Sequence, residues 1–384
     1  MWFPDRVRGA EQDDRSPGDP VDELLLMEAG ALDGTVAVLD DADGSLTAAL
    51  IAQGHRPRVW CDDVRDEALA LRSGTRGIPG QARDDESAVI PADAGISPRT
   101  NMPAEAFPTP AEAVRDARTV LWRLPKSVGA VEEYAGLIAH HAASDVRVVA
   151  CGRDKHLSRS MNEALARHFT SVRASRGHRK ARALLAEGAN PGPITWPRTA
   201  HLEALEIDVL AHGATFNTNR LDRGTALLLD QFDRLPADVS AVDLGCGSGI
   251  LAAALALQGR PVTAIDVTWS GADAARLTAS ANELRIDVLR RDGLAGWTEP
   301  LDLIVMNPPF HDGTAKDTEP TRRLINQAGA ALAPGGELWV VFNAHLPYLQ
   351  WLNRAIGRTR IEARDRSFLV TRSVRRPTGP AAHG

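Results

Sequence analysis

The 384 residues carry 43% hydrophobic and 24% charged side chains with a formal net charge of -6, enough chain for two domains with separate cores and a poor overall charge for a generic nucleic-acid binder. No apolar run reaches the roughly 18–20 residues of a membrane span, and the acidic opening MWFPDRVRGAEQDDRSPGDP does not read as a secretory leader, so a cytoplasmic protein with no membrane partner is expected. Cys61, Cys151 and Cys246 are widely spaced and odd in number, which argues against a disulfide framework or a zinc site; no metal is expected.

Residues 1–20, rich in Asp, Pro and Gly, are predicted to be disordered. An apolar strand, TVAVL, then leads into LDDADGSLTAALIAQG (Leu39 to Gly54) and a further strand, VWCDD. Between Arg72 and Pro110, prolines and glycines interrupt every periodic pattern, predicting a long surface excursion with room for one short strand. The runs RTVLWRL and VRVVA follow, and then SVRASRGHRKARALL with Arg173, Arg176, Arg179, Lys180 and Arg182. EGANPGPITWPRTA, residues 187–200, reads as a linker between domains at 21–186 and 201–377, with a disordered tail at 378–384.

In the second half SAVDL, PVTAID, LDLIVM and ELWVVF alternate with stretches of helical periodicity, which predicts parallel sheets covered by helices on both faces. Charge is unevenly placed: residues 1–100 hold about 20 acids against about 10 bases, residues 151–182 about 9 bases against 2 acids. The C-terminal stretch is also basic, with Arg354, Arg358, Arg360, Arg364, Arg366, Arg372, Arg375 and Arg376. Either basic stretch can be a solvated face or a track for phosphates.

The chain repeats itself. Leu39 to Gly54 lies over Leu244 to Gly259 (LGCGSGILAAALALQG) without a gap, each preceded by a strand and followed by a strand ending in acid. In the second copy the loop reads Asp243-Leu-Gly245-Cys-Gly247-Ser-Gly249, whose glycines let backbone approach a ligand. In the first copy the first two become Asp40 and Ala42, and carboxylates at Asp40, Asp41 and Asp43 would repel a ligand carboxylate. The first half is therefore predicted to have kept the fold and lost the ligand.

A Gly-rich loop is a weak signal alone, and Gly-x-Gly-x-Gly is not the spacing of a dinucleotide binder. Asp266 ends the next strand, where an acid can bind both hydroxyls of a ribose or else cap a helix. IDVLRRDG ends in Asp292-Gly293, placed to meet an adenine edge, and IVMNPPFHDG stops a buried strand on Asn307-Pro308-Pro309-Phe310. Two prolines cannot join a sheet ladder, so the strand must end at Met306 or Asn307 in a stiff turn.

These motifs in this order resemble class I S-adenosylmethionine-dependent methyltransferases acting on a planar amine. With ATFNTNRLDRGTALLL, NPPFHDG, the basic HRKARALL and the degenerate first half, the chain is more narrowly similar to bacterial ribosomal RNA guanine-N2 methyltransferases. The resemblance implies an α/β fold of two tandem Rossmann-like methyltransferase domains, the N-terminal one degenerate and the C-terminal one catalytic. It implies S-adenosyl-L-methionine as cofactor, held by Phe216, Asn217, Asp243, Gly245, Gly247, Gly249, Asp266, Asp292, Gly293 and Asn307. Asn307, Pro308, Pro309 and Phe310 would orient and stack the target base. Arg173, Arg176, Arg179, Lys180, Arg182, Arg220 and His311 would meet RNA; the partner is ribosomal RNA or an assembling ribosomal subunit, and a monomer is expected. Two departures stand out: the insert after Arg72, and Asn217-Thr218-Asn219 where Ser-Arg is expected. Adenine-N6 or protein-glutamine methylation uses the same amine chemistry, and a non-catalytic RNA-binding protein is the alternative of another class.

Overall fold

The computed structural model describes residues 18–75, 104–215, 221–308 and 319–376. Apolar runs become strands and the stretches between them helices, in the order α1 (Pro20–Ala29), β1 (Val36–Leu39), α2 (Ser45–Ala52), β2 (Arg58–Trp60), α3 (Val64–Thr75), β3 (Glu105–Ala106), α4 (Pro110–Val114), β4 (Thr119–Arg123), α5 (Val128–His141), β5 (Arg147–Arg153), α6 (Arg159–Ala166), β6 (Phe169–Ala174) and β7 (Ala181–Ala189). A two-stranded antiparallel hairpin, β8 (Arg198–Leu202) and β9 (Ile207–Ala211), intervenes. The second half then runs α7 (Arg223–Leu229), β10 (Ala241–Leu244), α8 (Ile250–Leu257), β11 (Val262–Asp266), α9 (Trp269–Ala281), β12 (Ile286–Arg290), β13 (Leu301–Met306), α10 (Glu319–Ala331), β14 (Leu332–Asn343), α11 (Tyr348–Ala355), β15 (Gly357–Arg364) and β16 (Phe368–Arg375).

The two seven-stranded sheets have one topology, β3-β2-β1-β4-β5-β7-β6 and β12-β11-β10-β13-β14-β16-β15. The central strands are parallel, and β1 and β10 are buried at every position, as strands covered on both faces must be. The parallel sheets expected from sequence are present, and each ends at one edge in an antiparallel hairpin that the sequence reading did not specify. The proposed linker is also shorter than predicted: β7 extends through Ala189, and β8 begins at Arg198. The expected short strand after Arg72 is β3, which pairs with β2; α3 extends to Thr75.

Of the three loop glycines, the one that both halves kept is the one the fold needs. Gly44 and Gly249 cap α2 and α8 in the left-handed conformation, at φ 77° and 80°, and a Cβ on Gly249 would lie 3.0 Å from Ala275 of α9. Asp40, the counterpart of Gly245, still adopts φ 59°; an Asp tolerates that region, and its Oδ1 accepts the Asp62 N–H at 2.8 Å.

The halves are joined by buried polar contacts. His212, 3% exposed, follows β9; its Nδ1 lies 2.6 Å from Glu133 of α5 and its Nε2 3.0 Å from Asp273 of α9. Burial works against a charge on this ring, but hydrogen bonds to Asp273 and Glu133 outweigh it and raise its pKa to about 9. With both nitrogens donating to carboxylates, the ring is an imidazolium. Its folded pKa exceeds the unfolded value near 6.5, so its stabilisation is complete below pH 6.5 and is lost as pH rises through 9. Between pH 7 and 9, unfolding free energy measured in urea should fall by up to about 1.4 kcal/mol per pH unit, and His212→Gln should remove that slope. An equal slope in the variant would show that the imidazolium does not clamp the halves.

Candidate functional site

A crevice of about 280 Å³ opens at the carboxyl ends of β10, β11 and β13. Gly245, Gly247, Asp266, Asp292, Gly293 and Asn307 line it, so the structure brings together expected residues far apart in sequence. Gly245 and Gly247 have φ of 82° and 51°, and a Cβ on either would meet nothing within 4 Å. The room that these two glycines leave belongs to the crevice, in contrast to Gly249, whose lost Cβ makes way for α9. The first half lost the two that face a ligand and kept the one that serves packing.

Asp266 shapes the floor: Oδ2 accepts the Gly247 N–H at 2.9 Å, and Oδ1 accepts the Thr268 N–H at 2.9 Å and its hydroxyl at 2.7 Å. The N-cap of α9 is Thr268, not Asp266, so the acid is not serving as the cap that was its competing role. Gly271 makes the arrangement possible, since a Cβ there would lie 2.5 Å from the Asp266 carboxyl carbon. Both Asp292 oxygens accept from Arg323 of α10, at 2.8 and 2.6 Å.

Asp243 departs from expectation. It is 1% exposed and absent from the crevice wall; its Oδ2 accepts the Ala252 N–H at 3.0 Å, which ties β10 to the first turn of α8. Burial, opposed by that N–H and helped by the field of Asp266, raises its pKa to about 7. Its Oδ1, like that of Asn307, is buried without a partner among the described residues, so the expected cofactor contact stays an expectation beside the structural tie to α8.

Asn307 stands just beyond β13 and lines the crevice. Its Nδ2 donates to the Thr225 hydroxyl at 2.8 Å and to Asp222 Oδ2 at 3.3 Å. Asp222 is the N-cap of α7 and accepts from the Gly224 and Thr225 N–H groups and the Thr225 hydroxyl. A carboxylate only accepts, so Asp222 fixes which way the amide faces. Asn307 Oδ1 is left buried without a partner among the described residues. Leaving such an acceptor unmet costs about 1–3 kcal/mol, which an incoming N–H would recover. Neither Asp222 nor Thr225 was anticipated, although an Asp just ahead of a helical apolar stretch is an N-cap signal.

The matching corner of the first half is built from other residues. Arg123 ends β4 where Asn307 follows β13, and it pairs with Asp19 Oδ2 at 2.6 Å and with Asp22. Asp19 caps α1 as Asp222 caps α7. A salt bridge has replaced the orphaned amide oxygen.

Pro308 is buried; Phe216, Asn217, Arg220, Pro309, Phe310 and His311 lie outside the described residues. Of the expected RNA contacts, Arg173, Arg176 and Lys180 are exposed around the β6–β7 hairpin, whereas Arg179 pairs with Glu23 at 2.8 Å and Arg182 with Asp154 at 3.4 Å. On the matching hairpin, Arg358, Arg360, Arg364 and Arg366 are exposed. Among the described residues no helix is long and apolar enough to cross a membrane.

Comparison with known proteins agrees in both halves. The family described as Methyltransferase small domain matches residues 206–372, and RLMG N-terminal domain matches residues 98–190. A curated relative from Streptomyces avermitilis, named Ribosomal RNA large subunit methyltransferase G, is 31% identical over 94% of this chain and 96% of its own length. One of the same name from Pseudomonas aeruginosa is 31% identical over 96% of each chain. Among solved structures, the T. thermophilus 16S rRNA N2 guanine methyltransferase RsmC, in complex with AdoMet and guanosine, shares the fold with a TM-score of 0.74. It is 21% identical, with 94% of this chain and 93% of that one covered.

Proposed function

The chain belongs to the ribosomal RNA large subunit methyltransferase G family, and from that premise we propose that it methylates the exocyclic N2 amine of a guanine in large-subunit ribosomal RNA, using S-adenosyl-L-methionine. The observation that carries this reading is the orphaned Asn307 oxygen beside a wall of unfilled glycines.

The residues present fit the cofactor. Gly245 and Gly247 leave room for it against backbone, and Asp266 is the acid available to ribose hydroxyls. Bound there, S-adenosylmethionine supplies a methyl group activated on a sulfonium. The chain's task is to present the amine, a poor nucleophile whose lone pair is delocalised into the ring. Asn307 Oδ1 and the Pro308 backbone carbonyl accept its two hydrogens and favour a pyramidal nitrogen. Rate comes from orientation and electrostatics, without a covalent intermediate on the protein. No base need act before attack, since the nitrogen becomes acidic only once methylated.

A paired guanine cannot reach this corner, so the target is single-stranded or turned out of its helix. Arg173, Arg176 and Lys180, with Arg358, Arg360, Arg364 and Arg366, serve as phosphate contacts, which position RNA without reading its sequence. Calorimetric titration of the full chain should give one S-adenosylmethionine site per molecule, since Asp40 and the Arg123 salt bridge close the first half's counterpart. Tight NADH binding with none for S-adenosylmethionine would remove the proposal.

A further inference from the structure

The two halves meet through counterpart segments. Residues 62–65 run antiparallel to residues 267–270: the Val64 N–H donates to the Val267 carbonyl at 3.0 Å, and the Trp269 N–H donates to the Asp62 carbonyl at 2.7 Å, around an Asp63–Thr268 bridge. The repeat makes Asp62 the counterpart of Val267 and Val64 that of Trp269, so the two hydrogen bonds are images of each other and the contact is a pseudo-two-fold. Each segment follows the strand whose end, in the second half, carries Asp266. Each half therefore lays chain against the other's ligand loop.

What crosses the contact differs. Trp269 enters the first half and packs edge-on against Trp60, with ring centroids 5.7 Å apart. In the other direction, Arg65, the counterpart of Ser270, lines the second half's crevice. Asp62 anchors the crossing by accepting the Ser270 N–H at 2.8 Å and its hydroxyl at 2.9 Å, and Arg290 of β12 donates to the Cys61 carbonyl at 2.5 Å.

We propose that Arg65 is a cofactor-binding residue, supplied by the degenerate half to the adenosine end of the second half's site. This rests on the function proposed above and extends it to the other half of the chain. The segment bearing Arg65 is bonded to Val267 and bridged to Thr268, directly after Asp266, and all four residues face one crevice with Asp292. Asp63 is its positioning residue: Arg65 Nε lies 2.9 and 3.1 Å from the two carboxylate oxygens, and Nη2 pairs with the same group. That hydrogen bonding, together with the fields of Asp63 and Asp292 and against the cost of burial, raises the guanidinium's pKa, so the charge is permanent. Nη1 has no partner among the described residues, and the side chain keeps 40% of its exposure. A flat cation held along one edge, with donors left on the other, suits an adenine face or ring nitrogen. The first half, having lost its own ligand, then remains part of the only cofactor crevice seen among the described residues.

The test is calorimetric titration of S-adenosylhomocysteine, and separately of adenosine, into the full-length protein and its Arg65→Ala and Arg65→Lys variants, with thermal melts of each. Arg65→Ala should bind both ligands about 10-fold more weakly at an unchanged melting temperature, and Arg65→Lys, which keeps charge without the planar fork, should fall between. Should Arg65→Ala melt early, the lysine variant decides. Affinities within about twofold of wild type in the variants that fold, or weakening for S-adenosylhomocysteine but not for adenosine, would overturn the assignment. A wild-type protein that binds neither ligand would instead count against the proposed function.

Discussion

Asn307→Ala should lower methyl transfer about 10²–10³-fold while leaving the affinity for S-adenosylmethionine within about twofold of wild type, the loss expected when one preorganised polar contact to the reacting group is removed. The amide oxygen has no partner among the described residues, so its removal leaves none of their polar groups unsatisfied on that side. The amide nitrogen is different: deleting it frees the Thr225 hydroxyl, which Asp222 still holds. The variant should therefore fold. Single-turnover kinetics with saturating cofactor separate the chemical step from binding. A variant that transfers methyl at the wild-type rate would show that the orphaned oxygen does not hold the amine; one that fails to fold would make it a structural residue only.

Asp266→Ala should weaken S-adenosylmethionine binding by about 10–100-fold, the equivalent of a hydrogen bond to a charged group at about 1.5–3 kcal/mol. Two losses combine here. The proposed ribose contact loses its acceptor, and the Gly247 and Thr268 N–H groups lose theirs, so the glycine loop is no longer held in shape. Asp266→Asn separates the two, because an amide oxygen can replace one acceptor without the charge. Calorimetry on both variants checks this; wild-type affinity in Asp266→Ala would place the cofactor elsewhere in the crevice.

The central strands were legible because strands covered on both faces read as unbroken apolar runs, as in SAVDL and LDLIVM. The edge hairpins were not. The β6–β7 and β15–β16 pairs carry arginines on exposed faces, so their sequences look like basic surface before they look like sheet. Residues 187–200 read as linker because Pro and Gly crowd their middle, although their ends pair in β7 and β8. The duplication was legible at the glycine loop, and its decay had a visible logic once the space around each glycine was known. The tie from Asp243 to α8 was not legible, because its motif does not say which backbone N–H a strand carboxylate meets. The partners of Asn307 lie more than eighty positions away, and Arg65 comes from the other half altogether; only folding brings such residues together.

On the proposed function, the corner at Asn307 presents a guanine N2 amine to an activated methyl group. It is tested most directly by incubating the full chain with isotopically methyl-labelled S-adenosylmethionine and unmodified large-subunit ribosomal RNA, then identifying the labelled nucleoside by mass spectrometry. Label should appear in N2-methylguanosine with the wild-type protein, and almost none with Asn307→Ala. Label in N6-methyladenosine, or equal label from both proteins, would contradict it.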